Sequence, residues 1–218
     1  MANRCAVVAR FALVAISIAG LTAASIGGVQ AFSSARTGKP LFTAAVDKAE
    51  PPPGWSDFCA QYASECESKT RTPRAIILTS ERWRTISDVN EYVNEHIQPM
   101  TDVERRGREN VWSYAEDGRG DCKDYVLVKR QKLIEAGLPR ESLLITIVWT
   151  AREQGHAVLI AHTDRGDFVL DNLWPNVMLW SDTDYQFVER QSETDPNAWV
   201  YIDGGPPIGG DSVSCEGP

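Results

Sequence analysis

The chain has few basic residues, few histidines and few long apolar runs, and each of these shortages reduces the range of functions that the chain could have. Lysine and arginine total 22 against 30 aspartate and glutamate residues, which gives a formal net charge of −8. Nucleic acids and anionic lipids are bound by basic surfaces, so neither is expected as the main partner. A net negative charge also keeps a protein soluble, which is a sufficient reason for it here. Beyond the N-terminal segment, the apolar runs are too short to span a bilayer and suit buried strands. With three histidines in 218 residues, few candidates exist for a catalytic base.

The N-terminal segment has the pattern of an export signal. Arg4 and Arg10 precede an uncharged apolar stretch over 11–26, and a small-x-small cleavage site ends at Ala31. This pattern predicts a signal peptide over residues 1–31. A membrane anchor is the alternative, which the short apolar core with its Ala, Gly and Ser content disfavours. The mature protein is therefore expected to be periplasmic or secreted, without stable membrane insertion.

The remaining residues suffice for one domain of ordinary size. Residues 32–54 end in a Pro-Pro-Pro-Gly sequence and are predicted to form a linker. The domain is placed at 55–204, and a Gly/Pro-rich stretch over 205–218 predicts a flexible C-terminal tail.

Cysteine usage fits an oxidising compartment. Cys5 would leave with the signal peptide, and Cys59 and Cys66 are close enough in sequence for a local disulfide. Four cysteines allow three complete pairings, which sequence alone does not resolve. If Cys59 and Cys66 pair, Cys122 and Cys215 are left over. Cys122 is expected to be the free thiol, because it lies at a predicted helix start while Cys215 lies in the tail.

Hydrophobic periodicity predicts helices first and an antiparallel meander afterwards, which is an α+β arrangement with helices packed on a sheet. The predicted helices run from about residue 80 to 97 and from 121 or 122 to 136, with a long loop over 98–121 between them. The predicted strands cover 143–150, 156–163, 168–171, 187–188 and 199–202.

Cys122 has a position suited to nucleophilic chemistry. The preceding glycine-containing stretch, 118–121, allows the backbone to turn sharply into the helix. A helix N-terminus lowers the pKa of a thiol, and its free N–H groups can stabilise an oxyanion. Taken alone, a cysteine here is more often a core residue or half of a disulfide.

His156 and Asp171 are predicted to meet across a hairpin. If the turn centres on Asp164 and Arg165, Asp171 lies opposite Val158, on the same face as His156 and within side-chain reach. A one-residue slip would separate them. Asp171 would then orient His156, and His156 would accept the Cys122 proton before a thioester forms. Separately, each of these two residues is more often a turn residue.

At these residues the chain resembles the bacterial transglutaminase-like cysteine proteinases. The resemblance covers about residues 54–202, and its most specific part is the Gly-Asp-Cys-x-Asp-Tyr block. The matching stretches are Phe58-Cys59 with Cys66, Val111-Trp112, 118–125, 155–159 and 168–173. The resemblance implies a papain-like/transglutaminase-like core and a catalytic triad of Cys122, His156 and Asp171.

The resemblance also implies partners and a cofactor. Well-understood members of this family are periplasmic proteases that release a large surface adhesin from cells in biofilm, restrained by a membrane-bound receptor that senses a cyclic dinucleotide. These members need calcium, which by resemblance would bind Asp121 and Asp124. The family block usually reads Asp-Cys-Glu-Asp, whereas Lys123 follows the cysteine here. A lysine repels a hard cation, so calcium is doubtful, and thiol chemistry itself requires no cofactor.

We therefore expect an exported cysteine peptidase that cleaves a protein substrate. The same triad could instead transfer the acyl group to an amine, as a transglutaminase or amidase does. A third alternative is a non-catalytic binding module that uses a papain-like cleft. Two further residues are candidates for the cleft, with structural roles as the alternative: Trp112 as a wall and Asn172 as a support for the aspartate's loop.

Overall fold

The computed structural model describes residues 40–67, 72–202, 213 and 215. The predicted signal peptide and most of the predicted tail lie outside these residues. The helices are α1 (Trp55–Gln61), α2 (Ser80–His96), α3 (Asp102–Arg106) and α4 (Cys122–Glu135). The strands are β1 (Ala45–Ala49), β2 (Gln98–Pro99), β3 (Arg119–Gly120), β4 (Leu143–Trp149), β5 (Gly155–Thr163), β6 (Gly166–Leu170), β7 (Met178–Leu179), β8 (Gln186–Gln191) and β9 (Trp199–Ile202).

The described strands build a seven-stranded sheet in the order β1-β9-β8-β4-β5-β6-β7, and every neighbouring pair in it is antiparallel. The predicted meander holds from β4 to β6. The short strand β7 was not predicted, and β8 pairs on the other side of β4. The predicted α+β fold, with helices packed on an antiparallel sheet, is therefore confirmed. A separate parallel pair, β2 and β3, joins the ends of the segment that precedes α4.

Both faces of the central strands are buried. On β4, Ile145 and Ile147 contribute to the core that contains α4, whereas Leu144 and Val148 belong to a second apolar cluster on the opposite face. Successive side chains on a strand point to opposite faces, so burial of both faces requires the nearly continuous apolar run seen here. This packing fixes β5, which carries His156, against the helix that carries Cys122.

Two segments depart from the sequence predictions. The predicted linker over 32–54 is wrong at Ala45–Ala49, which form β1 and pair with β9. The predicted loop over 98–121 contains α3, whose N-terminus has a capping box. In it, Thr101 Oγ1 accepts from the Glu104 N–H at 3.3 Å, and a Glu104 carboxylate oxygen accepts from the Thr101 N–H at 3.0 Å. The first segment extends the domain beyond its predicted start at residue 55, and the second adds a helix within the predicted domain.

The register between β5 and β6 is the one predicted. Leu159 pairs with Leu170 and Thr163 pairs with Gly166, so the turn centres on residues 164 and 165. The predicted disulfide between Cys59 and Cys66 is also present, with a Cα–Cα distance of 5.5 Å. Within the described parts of the chain, no helix is both long and apolar enough to cross a membrane.

Candidate active site

The N-terminus of α4 presents Cys122 as its first residue. Asp121 caps the helix by accepting a hydrogen bond from the Lys123 N–H at 3.1 Å, and Asp124 reaches back to accept from the Asp121 N–H at 3.1 Å. Gly120 is required before them, because a Cβ there would lie 2.5 Å from Asp124 Oδ2. The Gly-Asp-Cys-Lys-Asp sequence thus fixes the position of Cys122 through a capping box.

His156 and Asp171 meet as predicted. His156 Nε2 lies 2.8 Å from Asp171 Oδ1, and both side chains are buried. The Leu173 N–H donates to Oδ1 at 3.0 Å, and the Tyr185 hydroxyl donates to Oδ2 at 2.5 Å. Burial alone would raise the pKa of Asp171, but His156, Leu173 and Tyr185 together hold it below its ordinary value. The carboxylate is therefore ionised at neutral pH and fixes one ring nitrogen of His156.

The prediction that Cys122 is a free thiol is wrong in this structure, because Cys122 forms a disulfide with Cys215. Cys215 is buried, and its N–H donates to the Gly155 carbonyl oxygen at 3.2 Å. The Ala157 N–H contacts Cys122 Sγ at 3.2 Å, so the sulfur lies against the strand one residue from His156. Among the described residues, no hydrogen bond joins this sulfur to the imidazole. The structure thus pairs His156 with Asp171 and places Cys122 beside them, without assembling all three groups.

A cavity of about 160 Å³ opens beside the Cys122–Cys215 disulfide, and Asn172 is one of its lining residues. Its walls are formed by Pro99, Met100, Thr101, Glu104, Gly120, Asp121, Cys122, Tyr125, Asn172 and Cys215. Trp112 is not a cleft wall. Its indole is buried in the core against Trp55 and donates to the Pro53 carbonyl oxygen at 2.9 Å.

Three buried carboxylates lie next to the helix start, where calcium would be expected. Asp102, Asp121 and Asp124 each offer an oxygen within 4.8 Å of the others. Burial raises the pKa of Asp121 to about 7, against the opposing charge of Lys123, and raises that of Asp124 to about 6. The Lys123 ammonium lies 2.6 Å from Asp121 Oδ2 and 3.0 Å from Asp102 Oδ2, and Arg105 Nη1 lies 3.2 Å from Asp124 Oδ2. Calcium takes six to eight oxygen ligands at 2.3–2.6 Å. The residues present do not fit it, because two cations already occupy these carboxylates.

Comparison with known proteins identifies the family. The sequence profile described as bacterial transglutaminase-like cysteine proteinase (BTLCP) matches residues 45–206. The chain belongs to this family. Among curated proteins, none matches it.

Solved structures of a protein named LapG from Legionella pneumophila are similar to this BTLCP member. One has a TM-score of 0.48 at 24% identity and covers 57% of this chain and 70% of LapG. A calcium-bound LapG structure has a TM-score of 0.48 at 22% identity and covers 62% and 74%. An EGTA-treated LapG structure has a TM-score of 0.44 at 27% identity and covers 49% and 61%.

Three residues at this BTLCP site were not predicted from the sequence. Tyr185 holds the second oxygen of Asp171, and nothing in its local sequence indicates that role. Asp102 lies on α3, a short helix whose start could have been predicted from the Thr-x-x-Glu pattern that begins at Thr101. Cys215 reaches Cys122 from 93 residues away, a pairing that spacing alone does not reveal.

Proposed function

We propose that this chain is an exported cysteine peptidase of the periplasm or cell surface that cleaves a protein substrate with Cys122, His156 and Asp171. The single observation that carries the proposal is the buried His156–Asp171 pair at 2.8 Å beside the helix that begins at Cys122. A histidine held by a carboxylate next to a cysteine at a helix N-terminus is the arrangement that thiol acyl transfer requires.

The reaction belongs to the reduced protein, because a disulfide sulfur is not a thiolate. Once Cys215 is released, Cys122 Sγ would be free to rotate toward the ring nitrogen of His156 that Asp171 does not hold. His156 would take the thiol proton, and the thiolate would attack the scissile carbonyl. The amine would leave with the proton from His156, and water would hydrolyse the thioester. The Cys122 N–H at the helix start is the donor that we propose for the oxyanion.

A second cavity supports a peptide as the substrate. It has a volume of about 420 Å³ and shares Tyr185 with the His156–Asp171 pair. Trp174, Met178 and Leu173 give it an apolar wall, and Trp174 is exposed. An apolar side chain of a protein chain would fit this wall. Following the family resemblance, we propose that the substrate is a cell-surface adhesin and that a membrane-bound receptor restrains the enzyme.

Digestion of a mixed peptide library by the reduced protein, followed by mass spectrometry, tests the proposal. Wild type is expected to cut at recurrent sites, and Cys122→Ser is expected to lose this cleavage at least 1,000-fold. The same products from Cys122→Ser would overturn the peptidase assignment. Adding a primary amine separates hydrolysis from acyl transfer, because transfer leaves the amine on the new carboxyl end.

The Cys122–Cys215 disulfide is a specific observation that favours a second candidate, the non-catalytic binding module. In that role the disulfide would be structural and the cleft would hold a peptide without cutting it. Intact peptides captured by both the reduced and the oxidised protein, with no cleavage by either, would support this candidate.

A further inference from the structure

Lys123 stands in an unusual place for a lysine. Its side chain is 1% exposed, and its ammonium contacts both Asp121 and Asp102. Lysine is rarely buried to this degree unless it is paired with carboxylates. The contact to Asp102 is also tertiary, because it ties α3 to the N-terminus of α4.

The oxygens around this ammonium are already satisfied. Asp102 Oδ2 accepts from the Val111 N–H at 2.7 Å and forms an ion pair with the Lys123 ammonium at 3.0 Å. Asp124 Oδ1 accepts from the Ser113 N–H and hydroxyl at 3.2 and 2.8 Å. A divalent ion would therefore have to displace the ammonium and several hydrogen bonds before it met enough oxygen ligands.

We propose that the Lys123 ammonium is a built-in cation that takes the place of a divalent ion among Asp102, Asp121 and Asp124, so that this chain folds without calcium. The inference is independent of the proposed function, because it concerns ion binding and stability. It sets this chain apart from the calcium requirement implied by the family resemblance.

Thermal unfolding and calcium calorimetry on the full chain test the proposal. The wild-type melting temperature is expected to agree within about 1 °C in calcium and in chelator, with no binding heat. Lys123→Glu adds a carboxylate where the ammonium lay and is expected to bind calcium. Its melting temperature should then rise by about 5–10 °C when calcium exceeds the dissociation constant 100-fold. Lys48→Glu, the same charge change at an exposed position of β1, is the matched control and should gain no binding.

Each outcome decides the proposal. Calcium binding by the wild type would overturn it, and so would a folded Lys123→Glu variant that ignores calcium. If Lys123→Glu folds only when calcium is present, the proposal is supported. If it folds under neither condition, the wild-type titration decides alone.

A second, independent observation concerns the tail. Cys215 and Val213 are each 4% exposed, and Val213 packs in the main core. Together with the hydrogen bond from the Cys215 N–H to Gly155, these contacts dock Cys215 on the strand residue that precedes His156. The Lys123 ammonium also lies 3.4 Å from Cys215 Sγ. Cys215 is thus held by packing and polar contacts as well as by the covalent bond.

We infer that Cys215 is a redox mask on Cys122, an inference that rests on the proposed function. A dithiol reductant would remove it by thiol–disulfide exchange. One reductant thiolate attacks Cys215 Sγ and breaks the bond to Cys122, which leaves as a thiolate stabilised by the helix N-terminus. The second reductant thiol then displaces Cys215 from the mixed disulfide. The two cysteines are reduced, and the dithiol is oxidised to its own disulfide.

Alkylation of the full chain with iodoacetamide, followed by peptide mass spectrometry, tests the mask. Before reduction, wild-type Cys122 is expected to be labelled at least 100-fold less than Cys122 in Cys215→Ser. After dithiothreitol the two proteins should agree within about threefold. The double variant Cys59→Ser/Cys66→Ser, which lacks the other disulfide, should keep Cys122 protected. Equal labelling of unreduced wild type and Cys215→Ser would overturn the inference. Failure of the peptidase assignment is distinguishable, because it appears as unchanged cleavage by Cys122→Ser.

Discussion

Replacing Asp171 with asparagine removes the charge that holds His156 while keeping the size of the side chain. Asp171 accepts three hydrogen bonds, from His156, from the Leu173 N–H and from the Tyr185 hydroxyl. An asparagine amide supplies one accepting oxygen and one donating nitrogen. One of the three donors therefore loses its acceptor. If the amide oxygen keeps the position of Oδ1, which accepts from His156 and Leu173, that donor is the Tyr185 hydroxyl.

The size of the effect follows from the step that needs the charge. In the proposed mechanism His156 takes the thiol proton, and the resulting imidazolium ion would be stabilised by a carboxylate but not by a neutral amide. Positioned acid–base catalysis contributes about 10²- to 10⁴-fold to rate. The expected loss in kcat for reduced Asp171→Asn lies in that range, which corresponds to about 3–5 kcal/mol of transition-state stabilisation.

Because the pKa of Asp171 is held below its ordinary value, any stability it adds is present above about pH 4 and is lost as the pH falls through the folded-state pKa.

The assay is peptide hydrolysis by reduced protein, with the rate of Cys122 alkylation measured against pH as a readout that needs no substrate. Asp167→Asn is the matched control, because Asp167 is equally buried and lies 2.7 Å from His162 Nδ1 on the neighbouring part of the same hairpin. Its kcat should stay within about threefold of wild type. If the two variants lost activity to the same small extent, the assignment of Asp171 would be refuted.

Three further predictions concern stability, each measured by circular dichroism during thermal unfolding. Burial raises the pKa of Glu189 to about 7, above its unfolded value, so ionisation costs stability as the pH rises from about 4.5 to 7. Glu189→Gln should therefore raise the melting temperature by several degrees at pH 8 and hardly at all at pH 4. Burial lowers the pKa of Lys129 to about 7, although the charge of Asp171 opposes this shift. The buried ammonium therefore destabilises the fold below pH 7. This destabilisation decreases as the pH rises from 7 to 10.5, the ordinary pKa of lysine. Lys129→Met should stabilise the protein most at pH 6. If the melting temperatures of Glu189→Gln and Lys129→Met changed with pH in the same direction, these pKa assignments would be contradicted. Cys59→Ser/Cys66→Ser should cost about 2 kcal/mol, or about 4–8 °C, and an unchanged melting temperature would show that the bridge is dispensable.

The parts of the site that follow from local pattern were predictable. The helix start at Cys122 is encoded by Gly120 and the two aspartates of the capping box. The His156–Asp171 contact follows from a two-residue turn, because one turn position fixes the register of the whole hairpin. These features depend on residues close in sequence or joined by a tight turn.

The parts that sequence did not reveal depend on long-range packing. The Cys122–Cys215 pairing spans 93 residues, and the Gly/Pro-rich composition around Cys215 argued against order there. The burial of Lys123 depends on Asp102, which reaches the helix from α3. Lys129 and Arg130 are also buried, because α4 packs against both α2 and the sheet.

The charges around Cys122 explain why a cation is needed at this helix at all. A thiolate at Cys122 would lie within 4.8 Å of an Asp121 oxygen. At that distance and an effective dielectric constant of about 20, a thiolate and an ionised carboxylate repel each other by about 3 kcal/mol. The Lys123 ammonium, 2.6 Å from the same carboxylate, offsets this repulsion. Under the proposal that Lys123 replaces a divalent ion, the same ammonium therefore also supplies positive charge beside a thiolate at the helix start.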